Sequence, residues 1–162
     1  MGFLARIFPW IGGLFISGVF LDSLRFKFTG HPTPRHIFTT LRDWSGIDLF
    51  YPAGPWIIGS AELTASLLLI GLPVIFLLTK NIQAMKISQW FGAGVAFVTM
   101  SGAIFFHLFT PLSIYTPIEW SADGTQILKQ APSLFIAACI SWVCALIIGL
   151  IRMPAGLGLL RR

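Results

Sequence analysis

Four long apolar runs dominate the pattern of hydrophobic and polar positions along the chain. They cover residues 4–24, 55–79, 88–109 and 132–151. Each run is close to the roughly 20 residues that an α-helix needs to cross the hydrocarbon core of a bilayer. The pattern therefore predicts an all-α integral membrane protein whose single domain, residues 1–162, is a bundle of four transmembrane helices.

The fourth run carries small residues at every fourth position. These residues, which we call the small-residue seam, are Ala137, Ser141, Ala145 and Gly149. Small side chains let helix backbones approach each other closely. The seam therefore predicts tight helix contact, either with a neighbouring helix of the bundle or with a partner subunit.

The two longer polar segments between the runs also carry structural signals. In the first outer loop, a Thr33-Pro34 cap signal and a Gly46 stop signal enclose apolar residues at helical spacing. This pattern predicts a short amphipathic helix of about twelve residues. In the second outer loop, Asp123-Gly124 lies between two apolar stretches, which predicts a small β-hairpin.

The composition and charge agree with a membrane protein. Hydrophobic residues make up 56% of the chain and charged residues only 10%, whereas a soluble domain carries about 25% charged residues. The net charge of +5 is explained by cations that flank the apolar runs, so no nucleic-acid partner is expected. Cations concentrate in the short segments that hold both termini and the middle loop, which places both termini in the cytoplasm by the positive-inside rule. These cations are Arg6, Lys80, Lys86, Arg152, Arg161 and Arg162.

Titratable groups from three of the runs converge near the outer end of the predicted bundle. Glu62 lies about two turns inside the second run. His107 lies near the end of the third run, and Asp22, Arg25 and Lys27 lie at the end of the first. A charged side chain in hydrocarbon is costly and is retained where a partner compensates for it. We therefore predict a polar cluster that is centred on Glu62 and joins three helices, and only loop and tail cations at the cytoplasmic end.

Two interpretations of this polar cluster stay open. In the structural one, Glu62 pairs with Lys27 or Arg25, and His107 hydrogen-bonds a carbonyl group or Glu62. In the functional one, the cluster lines a pocket for a small amphipathic ligand, with Glu62 and His107 as its proton or hydrogen-bond partners. A quinone headgroup is the leading candidate, because its reduction takes up protons that a carboxylate and an imidazole can pass.

Motifs for metal binding or for other demanding chemistry do not occur in the sequence. A metal site built from Glu62 and His107 with either His31 or His36 has no E-x-x-H or H-x-x-x-H spacing to support it, so we expect no metal. There is no Ser-His-Asp order, no glycine-rich phosphate loop and no CxxC motif. The two cysteines lie in one apolar run and fit small core residues.

Four segments of the chain resemble the DoxX-like family of small four-helix membrane proteins. They are SLRFKFTG at 23–30, HIFTTL at 36–41, GSAEL at 59–63 and MSGAIFFHLFTPL at 100–112. The most specific elements are G-x-x-E-L, which contains Glu62, and the late His-Leu of the third run, which contains His107. Lys27 occupies the lysine position of a K-F-x-G-type element. The resemblance covers roughly residues 5–150 in order and spacing.

The resemblance implies a four-helix bundle in a redox context of the bacterial inner membrane. The family takes its name from a subunit of a thiosulfate:quinone oxidoreductase, so we expect a subunit or accessory of a quinone-linked redox complex. Any catalysis is then expected as part of a membrane oxidoreductase. The alternative is a non-catalytic scaffold, assembly factor or accessory subunit that docks other membrane subunits through the small-residue seam and the amphipathic helix. A transporter is disfavoured because the inner halves of the second, third and fourth runs are almost wholly apolar.

Overall fold

Each of the four apolar runs forms a helix in the computed structural model, which describes residues 2–160. In chain order the elements are α1 (Phe3–Lys27), α2 (Pro32–Ser45), a 3-10 turn (Asp48–Phe50), α3 (Ala53–Ser66), a π-helical segment (Leu67–Gly71), α4 (Leu72–Leu78), α5 (Ile82–Phe109), β1 (Thr116–Trp120), β2 (Ile127–Ala131) and α6 (Ser133–Leu160). The elements α3, the π-helical segment and α4 form one continuous helix. This helix and α1, α5 and α6 are all long and apolar enough to cross a membrane.

The long helices extend beyond the predicted runs, because a helix continues through residues that end an apolar stretch. Helix α5 begins at Ile82 rather than at residue 88. Asn81 caps this start, since its side chain accepts a hydrogen bond of 3.1 Å from the Ala84 backbone N–H. Helix α6 continues past Arg152, well beyond residue 151. The predicted tail cations Arg161 and Arg162 lie outside the described residues.

The amphipathic helix and the hairpin are both present. Helix α2 ends where predicted, since Gly46 has the left-handed backbone conformation with φ of 70°. The predicted start at Thr33-Pro34 is wrong, because His31 is the N-cap residue and Pro32 opens the first turn. Strands β1 and β2 pair antiparallel across the predicted Asp123-Gly124 turn, in which Gly124 has φ of 70°.

The connections place α2 and the hairpin at one end of the bundle, which we call the capped end. Helices α1 and α5 end there, and α3 and α6 begin there. The opposite end, which we call the terminal end, contains the start of α1, the turn between α4 and α5, and the end of α6. Helix α5 makes its most extensive contact with α6, and α1 packs against both α3 and α6.

The two middle residues of the small-residue seam pack inside the bundle. Ser141 and Ala145 are fully buried, and Ala145 belongs to the central apolar core together with Ile16, Phe20 and Ile148. The middle of the seam therefore contacts neighbouring helices of the same chain, whereas Gly149 faces open space.

At the π-helical segment, α5 comes into direct backbone contact with the continuous helix formed by α3, this segment and α4. A Cβ atom on Gly92 would lie 2.9 Å from the backbone nitrogen of Leu69, so no side chain larger than hydrogen fits there without a shift. The Ser88 hydroxyl donates a hydrogen bond of 2.8 Å to the carbonyl oxygen of Leu68. This bond satisfies a carbonyl in a segment whose hydrogen-bonding pattern departs from that of an α-helix.

Candidate ligand cavity at the capped end

A cavity of about 1050 Å³ lies at the capped end between the long helices, α2 and β1. Its lining combines apolar side chains from several elements with a small number of titratable groups. The apolar lining includes Phe20, Phe38, Leu41, Ile58, Phe106 and Leu112. Large apolar pockets that carry a few placed polar groups are typical binding sites for small lipophilic molecules.

A buried ion pair forms one part of the cavity wall. The Lys27 ammonium donates hydrogen bonds of 2.7 Å to both carboxylate oxygens of Glu62 and a third bond to the Ser23 hydroxyl. The Lys27 side chain is 11% exposed and that of Glu62 is 4% exposed. An ammonium group has three N–H donors, and all three are used here. Lys27 therefore fixes the Glu62 carboxylate, whose remaining lone pairs can still accept hydrogen bonds.

The Lys27–Glu62 pair forms because of where the two residues lie on α1 and α3. Lys27 is the last residue of α1, and Ser23 lies one turn before it on the same face. Glu62 lies in the third turn of α3, which runs back from the capped end towards the centre of the bundle. Lys27 can therefore reach down to Glu62 while its backbone stays at the end of the bundle. The predicted ion pair between the first and second runs is present with Lys27 as the partner.

His107 lines the same cavity but does not contact Glu62. Its Nδ1 atom lies 2.6 Å from the carbonyl oxygen of Ser113, in the segment that follows α5. Because a carbonyl only accepts hydrogen bonds, Nδ1 carries the proton, and Nε2 of the neutral ring is an acceptor. The sequence left either a carbonyl group or Glu62 open as the partner of His107. In the structure the partner is the Ser113 carbonyl oxygen.

His31 is a cavity residue that the sequence analysis missed as a cluster member. Its Nδ1 atom accepts a hydrogen bond of 3.2 Å from the Thr33 backbone N–H, as the N-cap of α2. In the neutral ring the proton is therefore on Nε2, which is a donor. The two imidazoles in the cavity lining thus differ, since His31 offers a donor and His107 an acceptor. A His-Pro dipeptide directly before a helical pattern was the available signal, because proline favours the first helical position.

Asp22 and Arg25 form a pair of their own. Their side chains are 3.0 Å apart at a spacing of three residues, and both are more than 60% exposed. The Arg25 guanidinium also lies over the Phe26 ring, 4.6 Å from its centroid. Asp22 contributes to the cavity lining. Of the two partners predicted as alternatives for Glu62, the structure has Lys27, and Arg25 lies on the exposed face of α1.

A network of side-chain contacts ties α2 to the hairpin above the cavity. The Trp120 indole N–H donates a hydrogen bond of 2.8 Å to the Thr33 hydroxyl, which in turn donates to the Pro117 carbonyl oxygen at 3.2 Å. The His36 ring meets the Trp120 ring edge-on with centroids 5.9 Å apart. Burial in this contact lowers the pKa of His36. The cap is therefore a packed unit of helix and hairpin.

The terminal end contains a buried polar pair that the sequence analysis did not predict. Arg152 is only 3% exposed, and its Nε donates a hydrogen bond of 2.8 Å to the side-chain oxygen of Gln89, which is fully buried. The prediction that only loop and tail cations occur at this end is therefore wrong for Arg152. Its side chain points into the contact between α6 and α5.

The described chain offers no preformed metal site. Across residues 2–160, no three His, Cys, Asp or Glu side chains lie close enough together to hold a metal ion. Glu62 and His107 thus share a cavity without forming a group of metal ligands.

Comparisons with known proteins give no independent assignment. The chain matches no protein-family model, no curated protein and no solved structure. The DoxX-like resemblance therefore stays a prediction that rests on its four sequence segments, and the cavity geometry is the main guide to function.

Proposed function

We propose that this chain is a DoxX-like integral membrane protein whose capped-end cavity binds an amphipathic lipophile, with a quinone as the best candidate. In this proposal the protein is a subunit or accessory of a quinone-linked redox complex. The observation that carries the proposal is the apolar cavity of about 1050 Å³ with the Lys27–Glu62 pair, His31 and His107 in its lining. Binding of a lipophile explains why an apolar cavity retains several titratable side chains.

The membrane setting is part of the proposal and is supported by length, composition and charge. Four helices are long and apolar enough to cross a bilayer. The cations Arg6, Lys80, Lys86 and Arg152 all lie in elements at the terminal end. The positive-inside rule then places the terminal end in the cytoplasm and the capped end on the outer side of the bacterial inner membrane. The cavity consequently lies at the depth of the outer leaflet.

The residues of the cavity match the two ends of a quinone. The apolar lining suits an isoprenoid tail, and the volume is at the upper end of the roughly 300–1,000 Å³ found for ligand pockets. A quinone carbonyl accepts hydrogen bonds, and the Nε2–H of His31 and the Ser23 hydroxyl are donors. A bound quinone would supply two-electron redox chemistry coupled to proton uptake. The Glu62 carboxylate and His107 Nε2 are acceptors beside it, which suit the hydroxyl groups of the reduced quinol and can take up its protons.

Lys27 has a positioning role in this proposal. All three of its donors go to Glu62 and Ser23, so it does not bind the ligand directly. It holds the Glu62 carboxylate in one orientation and compensates for its charge. A substitution of Glu62 should therefore affect ligand binding more directly than a substitution of Lys27.

The test is direct binding of a short-chain benzoquinone and of its reduced quinol to the purified protein in mild detergent. We expect Glu62→Gln and His107→Ala to weaken quinol binding by about tenfold or more, since each removes an acceptor for a quinol hydroxyl group in a site with few others. The matched control is Glu119→Gln, which removes an exposed carboxylate of β1 that pairs with Lys129 at 3.3 Å. The control is expected to bind quinone like the wild type.

Two outcomes would contradict the assignment. If folded Glu62→Gln and His107→Ala proteins both bind the quinol with wild-type affinity, the polar cluster is not the headgroup site. If the wild-type protein binds no quinone but retains another lipophile that the same variants lose, the cavity site stands and the quinone does not.

The two docking surfaces predicted for the scaffold alternative are each partly covered within this chain. In the small-residue seam, Ala145 is 1% exposed. On the apolar face of α2, Phe38 and Leu41 are buried against the bundle and contribute to the cavity lining, whereas Trp44 is 50% exposed. The cavity therefore favours binding of a lipophile, and the scaffold stays the alternative.

A further inference from the structure

The terminal end carries cations without acidic partners. All six acidic side chains of the chain are known from its sequence: Asp22, Asp43, Asp48, Glu62, Glu119 and Asp123. Each of them lies at or near the capped end: in the last turns of α1, in α2 or the 3-10 turn after it, in the third turn of α3, or in the hairpin. Among the residues that the structure describes, the terminal-end cations Arg6, Lys80, Lys86 and Arg152 therefore form no salt bridge with a side-chain carboxylate.

Arg152 and Gln89 present unused hydrogen-bond donors at this end. Arg152 is 3% exposed and Gln89 is fully buried. Within the described part of the chain, the guanidinium bonds only the Gln89 side-chain oxygen, through Nε at 2.8 Å. The Gln89 amide nitrogen is buried and has no hydrogen-bond partner there. Since its oxygen accepts from Arg152, the amide orientation is fixed, and the free group is a donor.

We propose that Arg152 and Gln89 form a binding site for a phosphate group. A buried guanidinium and a buried amide N–H are both costly when unpaired, and both are satisfied by an oxyanion. The planar guanidinium binds phosphate oxygens in a bidentate manner. Lys86 lies three residues before Gln89 on α5, on the neighbouring turn, and adds a second positive charge to the same region.

The phosphate group can belong to a phospholipid or to a soluble phosphate, and the depth favours the lipid. Arg152 lies 19 positions after Ser133, the first residue of α6. At 1.5 Å per residue this is about 28 Å along the helix, close to the roughly 30 Å thickness of the hydrocarbon core. In the membrane orientation proposed above, Arg152 is thus at the level of the headgroups of the cytoplasmic leaflet. The cavity at the capped end plays no part in this site.

The experiment is native mass spectrometry of the full chain released from detergent. The probes are dioleoylphosphatidylglycerol, dioleoylglycerol with the same acyl chains but no phosphate, and inorganic phosphate. We expect the wild type to retain phosphatidylglycerol and to release dioleoylglycerol. Arg152→Gln and Gln89→Leu are expected to lower phosphatidylglycerol binding about tenfold or more, as loss of a charge-assisted or buried hydrogen bond predicts.

The matched control is Arg6→Gln, which removes an exposed cation from the same end. Its lipid binding is expected to stay within about twofold of the wild type, because exposed charges contribute little. Inorganic phosphate that displaces phosphatidylglycerol from the wild type identifies a soluble phosphate as a ligand of the same site.

Several results would overturn the site. It is wrong if phosphatidylglycerol and dioleoylglycerol are retained equally by the wild type, or if Gln89→Leu binds phosphatidylglycerol as the wild type does. The Gln89→Leu variant and the wild-type comparison decide the question even if Arg152→Gln does not fold. The phosphate assignment would also be overturned if the wild type retains a partner protein instead of lipid and Gln89→Leu loses that partner. Quinone binding at the capped end should be unchanged in all of these variants, which separates this site from the proposed function.

Discussion

Removal of one partner of the Lys27–Glu62 pair is the perturbation with the largest expected effect on the bundle. Lys27→Met leaves the Glu62 carboxylate without its cation, and Glu62→Leu leaves the ammonium without its anion. The double replacement removes both charges and puts apolar side chains of similar size in their place. The three variants form a double-mutant cycle that isolates the interaction between the two residues.

The magnitude follows from the burial of the pair. With 11% and 4% exposure and two bonds of 2.7 Å, the pair is almost fully removed from solvent. Breaking such a pair on one side costs about 3–5 kcal/mol, whereas replacing both partners by apolar residues is often neutral or stabilising. We therefore expect each single variant to lose about 3–5 kcal/mol of unfolding free energy, and the double variant to lose far less than either.

The assay is reversible unfolding in detergent, followed by circular dichroism at increasing denaturant. The matched control is the exposed pair Glu119–Lys129, 3.3 Å apart with side chains 58% and 60% exposed. Substitution there should change stability by only about 0–1 kcal/mol. The reasoning is refuted if the two single Lys27 and Glu62 variants are as mild as this control, or if their costs simply add in the double variant.

Three further predictions concern packing and pH. Gly92→Ala should destabilise the bundle by about 1–3 kcal/mol, because its Cβ would lie 2.9 Å from the backbone of Leu69. Gly94→Ala, at a position that faces open space, should be neutral or stabilising by up to about 1 kcal/mol in the same unfolding assay. Ala145→Leu should lower the unfolding temperature of the isolated chain, since Ala145 is 1% exposed, and equal melting of variant and wild type would count against internal packing of the seam. Burial lowers the pKa of His36 from 6.5, so the neutral ring stabilises the cap above pH 6.5 and this stability is lost as the pH falls below it. His36→Phe should flatten that pH dependence of melting, and an unchanged profile would exclude His36 as its source.

Much of the architecture could be predicted because it depends on local signals. The apolar runs set the number of long helices, and the Asp123-Gly124 turn set the position of the hairpin. Gly46 marked the end of α2 because a left-handed residue follows a helix C-terminus. Helix limits were less well predicted, since hydropathy falls at Lys86 and Arg152 while the helical hydrogen bonds continue past both residues.

The candidate site could be predicted only in part, because its contacts depend on helix rotation. Arg25 and Lys27 are two positions apart, which is about 200° around a helix. The sequence could not tell which of them turns towards Glu62, and the structure has Lys27 there and Arg25 on the exposed side with Asp22. The rotation of each helix about its axis is set by packing against helices that are distant in sequence.

The pair at the terminal end was missed for a related reason. Arg152 and Gln89 are 63 positions apart, and nothing in either local sequence links them. Gln89 lies in a stretch that hydropathy alone assigns to the start of a lipid-facing span. The pair becomes visible only when α5 and α6 are packed together with Arg152 turned inward.

Photoaffinity labelling tests the central claim, a lipophile-binding cavity at the capped end, most directly. The purified protein would be exposed to a quinone analogue with a photoreactive group on its ring, and labelled peptides would be mapped by mass spectrometry. The cavity account predicts labelling of residues 19–27 of α1 and 57–62 of α3, which is suppressed by unmodified quinone. Labelling that is confined to the terminal end, or that unmodified quinone does not suppress, would contradict it.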